Sequence, residues 1–173
     1  DKIDSFIYEI DITRPIKKIF IKKKYIDLKL SSSDVSSIES NKEIFFEDGY
    51  ILDSKNPWRN AQILVDDTLQ EIEFKIHGTS ATPLEKGGAS LRIRHKNKGP
   101  YFQNTRDFKL ISPFDDPDIT TIIINNLAAS LGLISPKREY FLVRINGREI
   151  GLHQFEEHHS KEWFEKTMQM TNY

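Results

Sequence analysis

Apolar and polar residues alternate along several short segments of this chain, a pattern that predicts β-strands with one buried face. The segment AQILVDDTLQEIEFKIHG (61–78) contains two such strands separated by Asp66-Asp67-Thr68, with Ile72, Phe74 and Ile76 on one face. SLRIRH and RDFKLIS follow with the same alternation. These four segments predict an antiparallel sheet.

Two longer alternating segments, REYFLVRI and REIGLHQF, flank Asn146-Gly147. This dipeptide favours a type I′ turn because both of its residues adopt positive φ at low cost. The two segments therefore predict a hairpin, which is the clearest local signal in the chain.

The segment DPDITTIIINNLAASLGL predicts a helix from Pro117 to Leu131, between the two groups of strands. Asp116 can cap this helix, Pro117 occupies a first position where a missing N–H costs nothing, and Gly132 can end it in the left-handed conformation. Apolar residues recur in the helix at three- and four-residue spacing, so we expect one face to be buried against the sheet. These apolar residues are Ile119, Ile122, Ile123, Leu127 and Leu131.

The first 67 residues predict a β-rich accessory region. FIYEIDI alternates as a strand does, Ser31 to Ser40 is a polar serine-rich loop, and Asp48-Gly49 favours a hairpin turn. Near the other end of the chain, Ser160 can cap a final amphipathic helix. We expect the apolar side chains of that helix to face inward, namely Trp163, Phe164 and Met168.

Composition narrows the class of protein without identifying a function. The chain has 173 residues, a net charge of −1 and 38% hydrophobic residues. The balanced charge provides no general attraction for nucleic acid, and no apolar segment is long enough to span a bilayer. The lack of cysteine excludes a thiol nucleophile, a disulfide scaffold and a cysteine-ligated metal. Because the chain begins at Asp1 without a methionine or a signal peptide, we expect a piece of a longer protein.

Two features of the sequence could bind phosphate. The loop after the predicted strand contains Gly78, Thr79 and Ser80, whose amides and hydroxyls could surround phosphate oxygens, although an ordinary hairpin loop has the same composition. Lys109 lies in the strand before the helix, where a protein kinase places the lysine that binds the α- and β-phosphates. A lysine on a strand is otherwise usually a solvated surface residue.

Two further clusters are weaker candidates. His153, Glu156, Glu157, His158 and His159 combine imidazoles with carboxylates, which are zinc ligands, but not at the HExxH spacing, so we expect a polar hinge rather than a metal site. Six lysines near the first strands could attract phosphates, although lysines on edge strands more often prevent aggregation. They are Lys17, Lys18, Lys22, Lys23, Lys24 and Lys29.

The segment from Glu71 to Phe164 resembles the small lobe of the spore-coat-protein-H (CotH) type kinases. The most specific part is the stretch Asn146-Gly147-Arg148-Glu149-Ile150-Gly151-Leu152-His153 with Glu157. It is similar to the family block Asn-Gly-Glu-Tyr-x-Gly-x-Tyr that ends in Glu. Ile76-His77-Gly78-Thr79-Ser80 is likewise similar to the family strand that ends in Arg-Gly-Asn-Ser-Ser.

The resemblance implies an α+β fold in which residues 68–157 form a kinase-like small lobe, a twisted antiparallel sheet with one packed helix. Residues 1–67 would be the β-rich accessory region, and residues 158–173 the start of a truncated large lobe. The implied activity is phosphoryl transfer from ATP, with Mg²⁺, to serine or threonine of a protein. In that role Gly78, Thr79 and Ser80 would cover the phosphates, Lys109 would neutralise them, and Glu156 and Glu157 would border the adenine.

Several positions differ from the family pattern, and the predicted helix offers no glutamate to pair with the lysine. The differences are at His77, Thr79, Ala81, Asn125 and His153. The differences at His77, Thr79 and Asn125, together with the missing glutamate, favour an alternative function, a non-catalytic binding or structural module of a surface or coat protein. We expect no catalytic residue and no kinase activity in this portion alone, because the catalytic and metal-binding groups of a kinase lie beyond its hinge. The resemblance favours an extracellular, cell-surface or coat location and a protein partner, without identifying the substrate.

Overall fold

The structure is a computed structural model that describes residues 5–6, 21–22, 24–38, 56–77, 89–98, 101–112 and 119–170. Its elements, in chain order, are β1 (Ser5–Phe6), β2 (Ile21–Lys22), β3 (Tyr25–Lys29), α1 (32–38), β4 (Arg59–Val65), β5 (Thr68–Ile76), β6 (Leu91–His95), a 3-10 turn (Phe102–Asn104), β7 (Asp107–Ile111), α2 (Ile119–Ser130), β8 (Arg138–Ile145), β9 (Arg148–Glu157) and α3 (Lys161–Met170). The predicted Asp48-Gly49 turn lies outside the described residues.

Seven strands close into a barrel in the order β3-β4-β5-β6-β7-β9-β8, and β1 and β2 form a separate pair. Neighbouring strands of the barrel are antiparallel except β3 and β8, which run parallel from Tyr25 opposite Leu142 to Leu28 opposite Ile145. The predicted fold class is therefore wrong, because the sheet is a closed mixed barrel and not the open antiparallel sheet of a kinase-like small lobe. Closure occurs because β3 and β4, from the first 67 residues, fill the gap between β5 and β8.

Aromatic side chains fill one part of the barrel interior. Phe108 and Phe155 lie with ring centroids 5.0 Å apart, and Phe102 and Phe141 pack edge-on at 5.4 Å. All four are buried, as are Ile72, Phe74 and Ile76 of β5, which share one face as the alternation predicted. The interior is thus a packed core, as expected for a small barrel.

The two predicted hairpin turns that lie within the described residues are confirmed. Asn146 (φ 53°) and Gly147 (φ 83°) connect β8 to β9, and Asp66 (φ 46°) and Asp67 (φ 60°) connect β4 to β5. These positive values are those of a type I′ turn. The β8–β9 ladder also contains a bulge, where Gly151 has a φ of 115° and the pairing shifts by one residue.

The predicted helix forms, but it does not pack across the sheet. α2 lies beside β8, and Ile123, Leu127 and Leu131 are 60%, 58% and 68% exposed. The prediction of a buried stripe is wrong for a physical reason: the inner face of the barrel is filled by its own strands, and much of the outer face is charged. Gly132 (φ 74°) ends the helix as predicted, with Leu133 N donating to the carbonyl of Ala128 at 2.9 Å.

α3 begins after Ser160, whose Oγ accepts a hydrogen bond from Trp163 N at 3.1 Å, so the predicted cap is confirmed. Phe164 and Met168 are each 51% exposed, and the expectation that they face inward is wrong. None of the helices in the described ranges is both long and apolar enough to cross a membrane.

Candidate functional site

Five charged residues lie directly opposite one another across five neighbouring strands, on the outside of the barrel. From β5 through β6, β7 and β9 to β8 they are Lys75, Arg92, Lys109, Glu156 and Arg138. Residues directly opposite in antiparallel strands share a face of the sheet, so these side chains project on the same side. We call the set the cationic row, because four of its five members are basic.

Lys109 faces outward because its two neighbours in β7 face the core. Phe108 and Leu110 are both 0% exposed and belong to the packed interior. Successive side chains of a strand alternate between faces, so the lysine between them must project outside. The alternation of the sequence DFKLI therefore determines the direction of this side chain.

Glu156 is the carboxylate partner of Lys109. Nζ of the lysine lies 2.8 Å from Oε1, and the guanidinium of Arg138 binds Oε2. The side chains of Glu156, Arg138 and Lys109 are only 6%, 14% and 19% exposed, so this triad is largely shielded from water. A carboxylate with so little solvation is tolerated because two cations pair with it. The triad retains one surplus positive charge.

A second row of charges lies beside the first. Glu73, Arg94 and Asp107 are opposite one another on β5, β6 and β7. Arg92 of the cationic row binds both carboxylate oxygens of Asp107, at 3.2 and 2.8 Å, and Arg94 donates to Glu73 at 2.7 Å. The two rows together hold five cations and three carboxylates, so this outer face is positively charged.

Trp58 lies against the cations of both rows. The centre of its ring is 4.0 Å from Cζ of Arg94, 5.5 Å from Cζ of Arg92 and 5.6 Å from Nζ of Lys75. The face of an indole ring attracts cations electrostatically. The ring therefore helps to hold these three side chains over β5 and β6.

The pKa of His158 is consistent with the positive charge of this face. His158 follows β9, and its backbone N–H donates to the carbonyl of Asp107 at 3.0 Å. Burial lowers the pKa of the imidazole, the carboxylate of Asp107 opposes this, and the charges of Arg92, Lys109 and His159 lower the pKa further. The cations that make this face positive therefore disfavour the protonated form of the imidazole.

The structure describes only part of the set of residues predicted to bind nucleotide. Lys109 lies in the cationic row, whereas Gly78, Thr79 and Ser80 lie outside the described residues. Glu156, expected to border the adenine, pairs with the lysine. The described residues thus place Lys109 on the positive face, where Glu156 is its ion-pair partner.

Glu157 connects three parts of the fold. Its Oε1 accepts a hydrogen bond from Thr105 Oγ1 at 2.8 Å, and its Oε2 accepts one from Lys137 N at 2.8 Å and one from Trp163 Nε1 at 3.1 Å. Because these bonds join β9 to the segment before β8 and to α3, the geometry gives this carboxylate a structural role.

The three histidines of the cluster have different surroundings. His153 is 1% exposed, and its Nδ1 lies 3.3 Å from the carbonyl of Gly151, whereas His158 and His159 follow the strand. Among the described residues, no group of three or more histidine and acidic side chains is arranged to hold a metal ion. Of the N-terminal lysines, Lys24 pairs with Glu139 at 2.7 Å.

One signal in the sequence could have identified Glu156 as part of the row. If the β8–β9 ladder ran from the Asn146-Gly147 turn without a bulge, Arg138 would lie opposite Phe155, whose side chain faces the core. The bulge at Gly151 shifts the register by one, so that Arg138 lies opposite Glu156. A glycine five positions after the asparagine of a hairpin turn is therefore the feature to look for.

No protein-family model matches this chain, and no curated protein matches it. The resemblance to the CotH type kinases therefore stays a prediction from the motifs themselves.

Proposed function

We propose that this domain binds the phosphate chain of ATP on its cationic row, as the nucleotide-binding part of a CotH-type kinase that phosphorylates serine or threonine of a protein. The observation that supports this best is the position of Lys109. It lies between Arg92 and Glu156 on the positive outer face. The proposal rests on this face and on the sequence motifs, and it does not require a kinase-like lobe.

The spacing of the row suits a chain of phosphates. Arg92, Lys109 and Arg138 project from strands of one sheet, where adjacent strands are about 4.8 Å apart. Arginine binds phosphate oxygens in pairs and lysine acts as a point charge. Glu156 holds Lys109 and Arg138 in place, and one carboxylate cannot neutralise both cations. The row therefore keeps positive charge available for an anion.

The resemblance also implies Mg²⁺, for which the described residues fit poorly. They contain no group of three or more potential metal ligands, and the carboxylate of the row, Glu156, is occupied by Lys109 and Arg138. We therefore assign the metal no ligand in the described part of this domain and derive no step through it.

Titration of the chain with ATP, with and without Mg²⁺, tests the proposal. We expect nuclear-resonance shifts at Arg92 and Lys109, and shifts at Gly78–Ser80 would add the loop that the motifs predict. Lys109→Met should weaken ATP binding about tenfold or more, as expected for a lost charged hydrogen bond. Lys29→Met is the matched control, because Lys29 is an exposed lysine on β3 of the same barrel. Equal affinities for the Lys109 variant and the parent chain would rule the proposal out.

A second candidate function, a non-catalytic binding module of a surface or coat protein, is favoured by α2. Residues 119–136 contain no charged side chain, and Ile123, Ile124 and Leu127 are all more than half exposed. Apolar surface of this kind commonly binds other proteins. If ATP causes no shift in the row while Leu127→Asp abolishes binding to a surface or coat protein partner, this function is the correct one.

A further inference from the structure

A cleft of about 510 Å³ lies between the outer face of the barrel and the start of α3. Glu73 and Arg94 line it on the side of the sheet, and Ser160 and Lys161 line it on the side of the helix. None of the residues of the cationic row lines this cleft. It is thus a separate feature of the same outer face, one row of residues away from Lys109.

The lining of the cleft is strongly basic. Four of its side chains are cations and two are carboxylates: Arg94, Lys96, Arg106, Lys161, Glu73 and Asp107. Both carboxylates are already paired, Glu73 with Arg94 and Asp107 with Arg92, which lies outside the cleft. Positive charge therefore dominates the surface that a ligand would meet.

The cations on the rim are accessible. The side chain of Lys161 is 89% exposed, and its Nζ lies 3.7 Å from the carboxylate of Glu165, which is itself 58% exposed. Lys96 donates to the neutral amide of Asn60 at 3.0 Å, so its charge is not cancelled by that contact. Arg94 is 43% exposed above Trp58. Lys96 and Lys161 can turn toward an anion at little cost, because their contacts with Asn60 and Glu165 are exposed.

We propose that this cleft binds a phosphate monoester carried by a peptide, such as phosphoserine or phosphothreonine. Arginine and lysine together suit the compact double charge and the acceptor oxygens of a phosphate monoester. The volume is in the range of ligand sites and exceeds what inorganic phosphate fills. Every described lining residue is charged or polar, and such a lining can bind both the phosphate group and the polar backbone of a peptide. The inference is independent of ATP binding by Lys109.

Fluorescence anisotropy with a labelled phosphoserine pentapeptide tests the inference. We expect the phosphorylated peptide to bind and its unphosphorylated form to bind at least about tenfold more weakly, as expected for lost charged hydrogen bonds. Inorganic phosphate and AMP serve as competitors, which distinguishes a phosphopeptide site from a site for free phosphate or for a nucleotide. The inference is wrong if both peptides bind equally, or if AMP displaces the peptide more effectively than the unlabelled phosphopeptide does.

Substitution of two exposed lysines tests the position of the site without destabilising the fold. The double variant Lys96→Gln/Lys161→Gln should weaken phosphopeptide binding about tenfold or more. Lys29→Gln, an exposed lysine of β3, should leave phosphopeptide binding unchanged. Unchanged affinity in the double variant would contradict the assignment. A loss in the Lys109 variant equal to that in the double variant would place the phosphate on the cationic row instead.

Discussion

The side-chain amide of Asn146 pairs with the backbone of Leu30 as a neighbouring strand would. Leu30 N donates to Oδ1 at 3.0 Å, and Nδ2 donates to the carbonyl of Leu30 at 2.9 Å. The backbone N–H of Asn146 also donates to the carbonyl of Leu28 at 2.9 Å. The hairpin turn therefore extends the parallel contact between β3 and β8, which is the contact that closes the barrel. Asn56 makes the same two-way contact with Ile76.

Asn146→Gly should destabilise the barrel by about 1–3 kcal/mol, the net value of two hydrogen bonds whose partners are left partly buried. Glycine accepts the positive φ of the turn, so the substitution removes the amide without straining the backbone. Asn146→Asp keeps the acceptor and loses the donor, and its stability should be intermediate. Urea unfolding provides the measurement, and a glycine variant as stable as the parent would contradict the closing role of this side chain.

Gly151→Ala should cost about 1–3 kcal/mol of stability, the range for a residue held in a sparse backbone region. The φ of Gly151 is 115°, and a Cβ added there meets no atom within 4 Å, so the cost is conformational and not steric. Glu149→Ala, an exposed position of the same strand, is the control in thermal unfolding. Equal melting temperatures for the two variants would mean that the bulge does not need glycine.

The free energy of unfolding should fall as the pH is lowered from about 6.5 toward about 4. Burial lowers the pKa of His95 from 6.5 to about 4, and burial also lowers the pKa of His153 against the opposing backbone hydrogen bonds of Gly151 and Ala89. Between these values the unfolded chain binds more protons than the folded chain, so acid favours unfolding. Nε2 of His95 accepts the N–H of Phe102 at 3.2 Å, and a proton there would break this bond.

His95→Gln isolates this contribution, with the exposed His159→Gln as its control. In urea unfolding between pH 8 and pH 4, the free energy of unfolding should depend less on pH in the His95 variant than in the control. Paired carboxylates contribute to this pH dependence in both variants. A slope equal to that of the control would show that His95 does not titrate in this range.

Glu156→Gln should destabilise the fold by about 3–5 kcal/mol, because it leaves two poorly hydrated cations without their carboxylate. The double variant Lys109→Met/Glu156→Gln should lose less than the sum of the two single variants, by about 0.5–3 kcal/mol. A double-mutant cycle measured in urea gives this coupling directly. Strict additivity would mean that the pair contributes nothing to stability.

Leu127→Lys should change the free energy of unfolding by less than about 0.5 kcal/mol, as is usual for exposed positions. The side chain of Leu127 is 58% exposed on α2. The comparison is Leu110→Lys, a substitution at a buried residue of β7, which should prevent folding. A loss of several kcal/mol at Leu127 would support the packing of the helix that the sequence predicted.

The local elements of this protein follow from the sequence alone. The turns at Asn146-Gly147 and Asp66-Asp67, the glycine that ends α2, the cap of α3 and the buried face of β5 all depend on residues close together in the chain. Each is determined by backbone preference or by alternation, which a short window contains. The outward direction of Lys109 belongs to the same group, because its two apolar neighbours determine it.

The closed barrel and the partners of the site were decided by contacts that no short window contains. β3 pairs with β8 across more than 110 residues, and once this parallel contact closes the sheet, its inner face is filled by the side chains of its own strands and offers α2 no surface to cover. Lys109 and Glu156 meet only because β7 pairs with β9, and Arg138 joins them only because the bulge at Gly151 shifts the register by one residue. A one-residue shift exchanges the faces of a strand, so the sequence specified which residues are charged while the tertiary pairing decided which charges meet.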